Sequence, residues 1–451
     1  MNFMSSLALS TDLYELTMMA GYYTAGLDAP ATFELYVREL PPNRSFLVAA
    51  GLEQALAYLE GLRFTDEHIA HLRGLPALRG VRREFFDEYL PRFRFSGDVW
   101  AVEEGIPVFP PAPLLRVTAP LPEAQLVETA LLALVAFQTS VASRAARIVE
   151  AAAGREVVEF GARRAHGIEA GVLAARAAVI GGCDSTSNVE AGRRYGIPVS
   201  GTMAHSWVTA VPTEIAAFRQ FAGIYGDRTV FLLDTYDTIA AARWVAASGL
   251  APAAVRLDSG DVIALSREVR AILDATGLRA TKIFASGDLD EWRIAAIVQA
   301  GAPVDGFGVG AALSTSSDAP SLGAIYKLVE IERGGVPVPV MKRSPGKQTY
   351  PGRKQVWRLF EHDTAVEDIL EVEDAQGEPV RVEPPYAVRP LLVPVMRGGR
   401  RERPPVPLAD LRARQLAATA RLPAAVRRLA EPARYRVRLG SALQSAVERF
   451  G

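Results

Sequence analysis

The order of apolar and polar segments predicts an α/β protein. The expected form is an irregular parallel α/β barrel plus a smaller α+β, sandwich-like domain built from N-terminal and C-terminal segments. Three observations carry this. Between residues 157 and 309, short and fully apolar runs alternate with Ala-rich amphipathic segments of about 10–18 residues, the pattern of parallel strands covered on both faces. Nearly every run is followed at once by a Gly-rich polar stretch. Before residue 120 and after residue 335 the alternation is absent.

The N-terminal α+β domain is assigned to 1–120. Asp12 and Glu15 have capping-box spacing, and Leu13, Leu16 and Ala20 share one helical face, so a helix is predicted over roughly 12–24. Phe33, Leu35 and Val37 alternate with Glu34, Tyr36 and Arg38, which predicts a half-buried strand. Leu52, Ala55, Leu56 and Leu59 mark the next helix, and the Pro-, Val- and Phe-rich stretch 93–118 holds short strand-like runs. The α/β barrel carrying the active site is assigned to 121–335. Residues 122–154 read as helical. The strand runs are VVEF (157–160), AVI (178–180), IPVS (197–200), TVFLL (229–233), AVRL (254–257), KIFA (282–285) and VDGFGV (304–309). Six or seven such units imply a closed or nearly closed barrel. The C-terminal segment, 336–451, reads as loop then helices packing back on the N-terminal domain. In it, 341–360 is polar and loop-like, and 407–432 reads as two basic helices.

A chain of 451 residues exceeds one average domain, and its hydrophobic fraction of 49% is globular. A net charge of −1 gives no field favouring nucleic acid or an anionic membrane. The basic stretch VMRGGRRER (395–403) reads as a solvated loop. The single cysteine, Cys183, excludes an internal disulfide framework and a thiolate zinc cluster, and it fits a reducing cytoplasm. The N-terminus lacks the parts of a signal peptide, and the apolar run TALLALVAF (129–137) is too short to span a bilayer. A soluble cytoplasmic protein is expected.

The polar stretches share a place. GARRAHG follows VVEF, GGCDSTSN follows AVI, and GTMAHS follows IPVS. DSGD follows AVRL, SGDLDE follows KIFA, and GAA follows the last run. In parallel barrels the loops at the C-terminal strand ends form the active site. The turns SGD (286–288) and GVGAA (308–312) allow close approach of backbone N–H groups to phosphate, and TSN (186–188) opens a predicted helix whose N-terminus favours anions. Arg163, Arg164 and Arg256 are forked donors for phosphate or carboxylate. Asp258, Asp261 and Asp288 are acceptors for sugar hydroxyls or a phosphate-bound Mg²⁺. The set fits a phosphorylated sugar. His68 and His71 have i, i+3 spacing but no nearby third ligand, so they read as a solvated helix face. No P-loop or G-x-S-x-G elbow occurs.

The stretches TDLYELTMMAGYY (11–23), EFGARRAHG (159–167), GGCDSTSNVEAGRRYGIPVSGTMAHSWV (181–208), VRLDSGD (255–261), FASGDLDE (284–291), DGFGVG (305–310) and YKLVE (326–330) resemble the nicotinate phosphoribosyltransferases. KQTYPGRKQVWR (347–358) and PLLVPVMRGGR (390–400) continue the resemblance. It covers nearly the whole chain and places it in the type II phosphoribosyltransferase family. It implies transfer of nicotinate onto 5-phosphoribosyl 1-diphosphate, giving nicotinate mononucleotide and diphosphate in NAD biosynthesis and salvage. It implies ATP as co-substrate through a phosphohistidine, Mg²⁺ with ligands left unassigned, no organic prosthetic group, and a homodimer with shared active sites.

By the same resemblance, His205 in GTMAHS is the histidine phosphorylated by ATP. Tyr14 and Phe160 stack on the two faces of the pyridine ring, Tyr14 often reaching the partner's site. Arg163 holds the nicotinate side, and Gly201 and Thr202 approach the substrate. Arg256 and Asp258 match the arginine and ribose-binding aspartate of R-x-D-S-G-D. Gly287, Asp288, Gly308 and Gly310 fit the sugar and 5′-phosphate cradle. Ala311 stands where the family often has Thr, which implies somewhat weaker phosphate binding. Ser187 occupies the position where nicotinamide-using relatives place an aspartate, so nicotinate is favoured. Asp184 lies three residues away and leaves that register open. The alternatives are a nicotinamide or quinolinate phosphoribosyltransferase, or a non-catalytic ligand-binding homologue.

Overall fold

A computed structural model describes residues 7–344, 349–373 and 378–450. Part of the stretch expected to be a loop, 345–348, lies outside the described residues, as does the start of the chain. The chain divides into two compact units. The first comprises Met1–Ser140, Ser321–Pro407 and Arg414–Gly451; the second comprises Val141–Pro320 and Leu408–Ala413.

The second unit is built on six parallel strands: β1 (Glu156–Glu159), β2 (Ser185–Thr186), β3 (Val230–Leu232), β4 (Ala254–Leu257), β5 (Lys282–Ala285) and β6 (Gly306–Val309). Their order in the sheet is β2-β1-β6-β5-β4-β3. Most of their residues are buried, which is why all but β2 read as apolar runs; β2 falls in GGCDSTSN, which reads as polar. Helices follow the strands, among them Val262–Ala275 after β4 and Glu291–Gln299 after β5. The order is cyclic in sequence, but the ladder is open: among the described residues, β2 is extended only by a single parallel bridge from Thr186 to Val199.

The expected closed or nearly closed barrel is not a closed one: in hydrogen-bond terms it is an open six-stranded ladder. The expected strand at 197–200 reduces to that one bridge. The run AVI (178–180) is the last turn of helix Ile168–Ile180, not a strand. A three-residue apolar run has no period of its own, and here it continues an Ala-rich helix.

The first unit carries a seven-stranded sheet. Its central strands Ala324–Arg333, Pro30–Val37, Pro113–Pro120 and Asp98–Val102 are neighbours in that order, and the paired ones run antiparallel. Strand Pro30–Val37 is buried on both faces after its first residue, where one exposed face was expected. Two of its polar residues find partners elsewhere in the chain. The Thr32 and Thr118 hydroxyls lie 2.9 Å apart, and Glu34 meets the Lys354 ammonium at 2.9 Å.

The segment after residue 335 is strand-rich. Lys354–Glu361, Thr364–Val372, Tyr386–Pro390 and Arg436–Leu439 form a second sheet, and VMRGGRRER lies on the paired strands Leu392–Arg397 and Arg400–Arg401. Two of the charged residues that made this segment look loop-like, Lys354 and Arg358, sit in buried ion pairs, Arg358 bidentate to Asp368 at 2.8 Å. Of the expected basic helices, Leu408–Ala420 is full length and Ala424–Arg427 is a single turn.

Other expectations resolve locally. Helix Leu13–Ala25 begins after Asp12, but Asp12 does not cap it; its carboxylate accepts from the Thr129 hydroxyl at 2.9 Å. His68 closes a capping box with Thr65, a helix-end role and not a metal one. The apolar run at 129–137 belongs to helix Glu128–Ala152, whose length and apolarity alone suit a membrane span, yet 67% of its most apolar window is buried within the protein.

The Glu34–Lys354 pair has both side chains buried, and burial lowers the lysine pKa while Glu34 opposes that shift. Removing one partner strands the other charge. Lys354→Met is expected to cost about 3–5 kcal/mol of the first unit's stability in denaturant unfolding, and a loss below about 1 kcal/mol would contradict the pair's burial.

Candidate active site

At the end of β1, the buried Glu159 carboxylate accepts hydrogen bonds from the Thr186 hydroxyl at 2.6 Å and from the Gly161 N–H. Burial raises its pKa, and those two bonds oppose the rise. The carboxylate thereby anchors the turn that carries Phe160 and Arg163. The Phe160 N–H donates to the Val309 carbonyl at 2.8 Å. Its ring packs so closely on β6 that a Cβ on Gly308 would lie 2.4 Å from ring carbons, so only glycine fits there. Arg163 is exposed on the short turn Ala162–Arg164.

Ser187 follows β2, and its N–H donates to the Glu159 carbonyl at 2.9 Å. Asp184 lies at the opposite end of that strand. It accepts from the Val157 N–H at 2.9 Å and pairs with Arg412 at 2.5 Å. Asn188 caps helix Val189–Tyr195.

Gly201 is exposed, and the half-buried Thr202 donates to the Met203 carbonyl at 3.1 Å. His205 opens helix His205–Ala210. Its Nδ1 lies 3.1 Å from the Thr235 hydroxyl and its Nε2 lies 3.9 Å from the Asp258 carboxylate, with 45% of the side chain exposed. A core histidine satisfied on both nitrogens would not look like this.

The loops after β3, β4 and β5 meet at Asp258. Its N–H donates to Asp234 at 3.1 Å, and its carboxylate accepts from the Ser286 hydroxyl. Arg256 Nη1 lies 3.5 Å from the same carboxylate, and Nη2 donates to the Met203 carbonyl at 3.0 Å. Burial lowers the Arg256 pKa; Asp258 and Asp234 oppose this, and nearby Arg163 adds to it. Gly287 has φ +88°, and a Cβ there would lie 1.8 Å from the Asp258 carbonyl oxygen. That glycine is required by conformation and by space. A cleft of about 520 Å³ opens between the two loops, lined among others by Asp258, Asp261, Ser286, Asp288 and Arg293. Asp261 also caps helix Val262–Ala275.

After β6, Gly310 precedes the short helix Ala311–Ser314, with Ala311 exposed at its start. Ser314 donates to the Gly161 carbonyl at 3.2 Å, joining this loop to the turn after β1.

The structure thus gathers His205, Arg256, Asp258 and Gly287 in one group, and Phe160, Gly308 and Gly310 in a second. Arg163 is within electrostatic reach of Arg256, and Asp288 lines the cleft beside Asp258. Tyr14 alone of the predicted residues belongs to the first unit, where it is exposed on helix Leu13–Ala25. Burial first, then Glu128 and Glu15, hold its phenol above the usual range, so it stays a hydrogen-bond donor at neutral pH.

Sequence reasoning passed over Asp234, Thr235, Ser286 and Glu159. Asp234 had a signal: it follows the TVFLL run directly, as the other polar stretches follow theirs. One of its carboxylate oxygens is buried without a partner. Glu159 was hidden because it reads as the last residue but one of an apolar strand.

A carboxylate pair, two guanidinium groups, a half-exposed imidazole and glycine turns at neighbouring strand ends suit a polyanionic sugar ligand. Comparison with known proteins agrees. Family models described as the nicotinate phosphoribosyltransferase N-terminal domain, family and C-terminal domain match residues 9–136, 156–368 and 353–447. The chain is 46% identical over 409 residues to nicotinate phosphoribosyltransferase pncB2 of Mycobacterium tuberculosis, covering 89% of this chain and 84% of that one. It is 45% identical over 372 residues to the Bacillus subtilis nicotinate phosphoribosyltransferase, covering 79% and 74%. The crystal structure of human nicotinic acid phosphoribosyltransferase superposes with TM-score 0.83 at 32% identity over 98% of this chain and 99% of that one. On this likeness, which runs the length of the chain, the protein belongs to the nicotinate phosphoribosyltransferase family.

Proposed function

We propose that the chain joins nicotinate to 5-phosphoribosyl 1-diphosphate, releasing nicotinate mononucleotide and diphosphate, with ATP hydrolysed through a phosphohistidine at His205. The observation that carries the reading is the convergence of His205, Arg256, Asp258 and Gly287 at adjacent parallel strand ends. The cyclic strand order supports a barrel-like wrap of these ends around one site.

In the reaction the pyridine nitrogen forms a bond to C1 of the ribose, and the C1–oxygen bond breaks with its electron pair leaving on diphosphate. The pyridine nitrogen carries no proton at neutral pH, so no general base is needed. The protein's work is positioning and charge stabilisation. Asp258 and Asp288 are acceptors for ribose hydroxyls, and Gly287, Gly308 and Gly310 let backbone approach the 5′-phosphate. Phe160 offers one face to the ring; Arg163 and the Ser187 hydroxyl offer donors to the carboxylate. Asp184, the residue that would repel a carboxylate in another register, is committed to Arg412 and Val157, which favours nicotinate over nicotinamide.

A Mg²⁺ arriving on the diphosphate would meet Asp258 and Asp234, whose spare buried oxygen fits such a cation. When bound, the ion would neutralise leaving-group charge. On His205, a proton on Nδ1 donating to Thr235 leaves the Nε2 lone pair free to accept a phosphoryl group. The exposure of Leu13 and Tyr14 supports a homodimer in which Tyr14 serves the partner's site.

The test is product analysis with 5-phosphoribosyl 1-diphosphate, Mg²⁺ and either nicotinate or nicotinamide, with and without ATP. Nicotinate mononucleotide should form preferentially and be stimulated by ATP, and His205→Ala should abolish the stimulation. Nicotinamide mononucleotide as main product would overturn the Ser187 assignment. No product from either ring would favour a quinolinate enzyme or a non-catalytic binding protein. If sites are shared, mixing Tyr14→Ala and His205→Ala chains should restore part of the ATP-stimulated activity that each lacks alone; strictly unrestored mixtures would argue for self-contained subunits.

A further inference from the structure

Arg144 lies in helix Glu128–Ala152, ahead of the strand-end motifs, and its side chain is only 4% exposed. One of its nitrogens, Nη1, lies 2.9 Å from Glu291 Oε1 and 2.9 Å from Asp318 Oδ1. Nη2 lies 2.7 Å from Glu291 Oε2. Arg147 adds a bond to Glu291 Oε1 at 3.1 Å and stacks on Trp292 at 5.5 Å. One planar fork thus grips two carboxylates from different loops.

Each carboxylate is tied to one of the glycine turns. Glu291 begins the helix that follows SGDLD. Asp290 caps that helix through Trp292 and Arg293 at 3.0 and 2.9 Å, and Arg293 donates back to the Asp288 carbonyl at 3.0 Å. Asp318 sits in the turn after Ala311–Ser314. That turn is held to the short helix by Ser316 N–H to Leu313 carbonyl at 3.0 Å and by Ser317 N–H to Ala312 carbonyl at 3.2 Å. The 286–288 and 308–312 turns leave the paired strands β5 and β6, and beyond that pairing they are joined from behind through the Arg144 guanidinium.

We propose that Arg144, with Glu291 and Asp318, is a positioning clamp that fixes the separation of the two glycine turns and so tunes affinity for the phosphoribosyl donor. The proposal rests on the donor reading above and adds residues that touch no substrate. A lysine would not reproduce it in full, because its ammonium lacks the second forked nitrogen that makes the grip on Glu291 bidentate.

Steady-state kinetics of the full chain test it. Asp318→Asn alters a carboxylate whose side chain is 24% exposed, so folding should survive. Its KM for 5-phosphoribosyl 1-diphosphate should rise about tenfold, with kcat and the KM for nicotinate changed less than about twofold. Arg144→Lys should show the same split. A lowered melting temperature with an unchanged donor KM in both variants would overturn the clamp and leave a purely structural cluster. If the unmodified chain showed no turnover, the functional reading would fall, and amide hydrogen exchange would judge the clamp. Asp318→Asn should then speed exchange at both 286–290 and 308–312; acceleration confined to 315–319 would overturn it.

Discussion

Asp258 joins the loops that leave three neighbouring parallel strands. Its carbonyl oxygen faces Gly287 so closely that no side chain fits between them. Its N–H is held by Asp234, and its carboxylate takes the Ser286 hydroxyl. The same carboxylate faces Arg256 and, more distantly, His205. Arg256, largely buried, faces this carboxylate, and Asp258 and Asp234 oppose the lowering of its pKa by burial. Moving Asp258 would displace the glycine turn, the arginine and the imidazole's facing charge together. Chemistry that rests on positioning needs that kind of shared constraint.

The rest of the site is held by other buried ionic groups acting from behind. Glu159 secures the turn bearing Phe160 and Arg163, and the Arg144 cluster grips one helix and one turn behind two glycine turns. In the first unit, Glu34–Lys354 and Arg358–Asp368 knit late strands to early ones and to each other. Buried pairs of this sort add little net stability compared with apolar packing, but an unpaired member is costly, so they specify which strands may neighbour which.

The sequence showed where the chemistry lies more clearly than how the chain folds around it. Gly-rich stretches after apolar runs are local signals, although the contacts that require glycine at 287 and 308, the Asp258 carbonyl and the Phe160 ring, come from the ends of other strands. The helix at 13–25 was legible from its periodicity, though not the role of Asp12, because its partner Thr129 is distant in sequence. Strand Pro30–Val37 seemed half exposed for the same reason: Glu34 is neutralised by a lysine 320 residues away. Strands Lys354–Glu361 and Thr364–Val372 escape a local reading because Arg358 and Asp368 are buried as a pair that no local pattern reveals. AVI and IPVS were too short to separate strand from helix or bridge, and β2 has only two residues. Closure of the ladder depends on how β3 lies beside the 197–200 segment, a long-range property without a sequence period.

The most direct test of the account is a crystal structure of the protein with 5-phosphoribosyl 1-diphosphate and Mg²⁺. The account predicts ribose hydroxyls on Asp258 or Asp288, the 5′-phosphate against the backbone of the 286–288 and 308–312 turns, and the diphosphate toward Arg256 and His205. Donor bound away from these strand ends, or lying there with Asp258 and the glycine turns untouched, would contradict it.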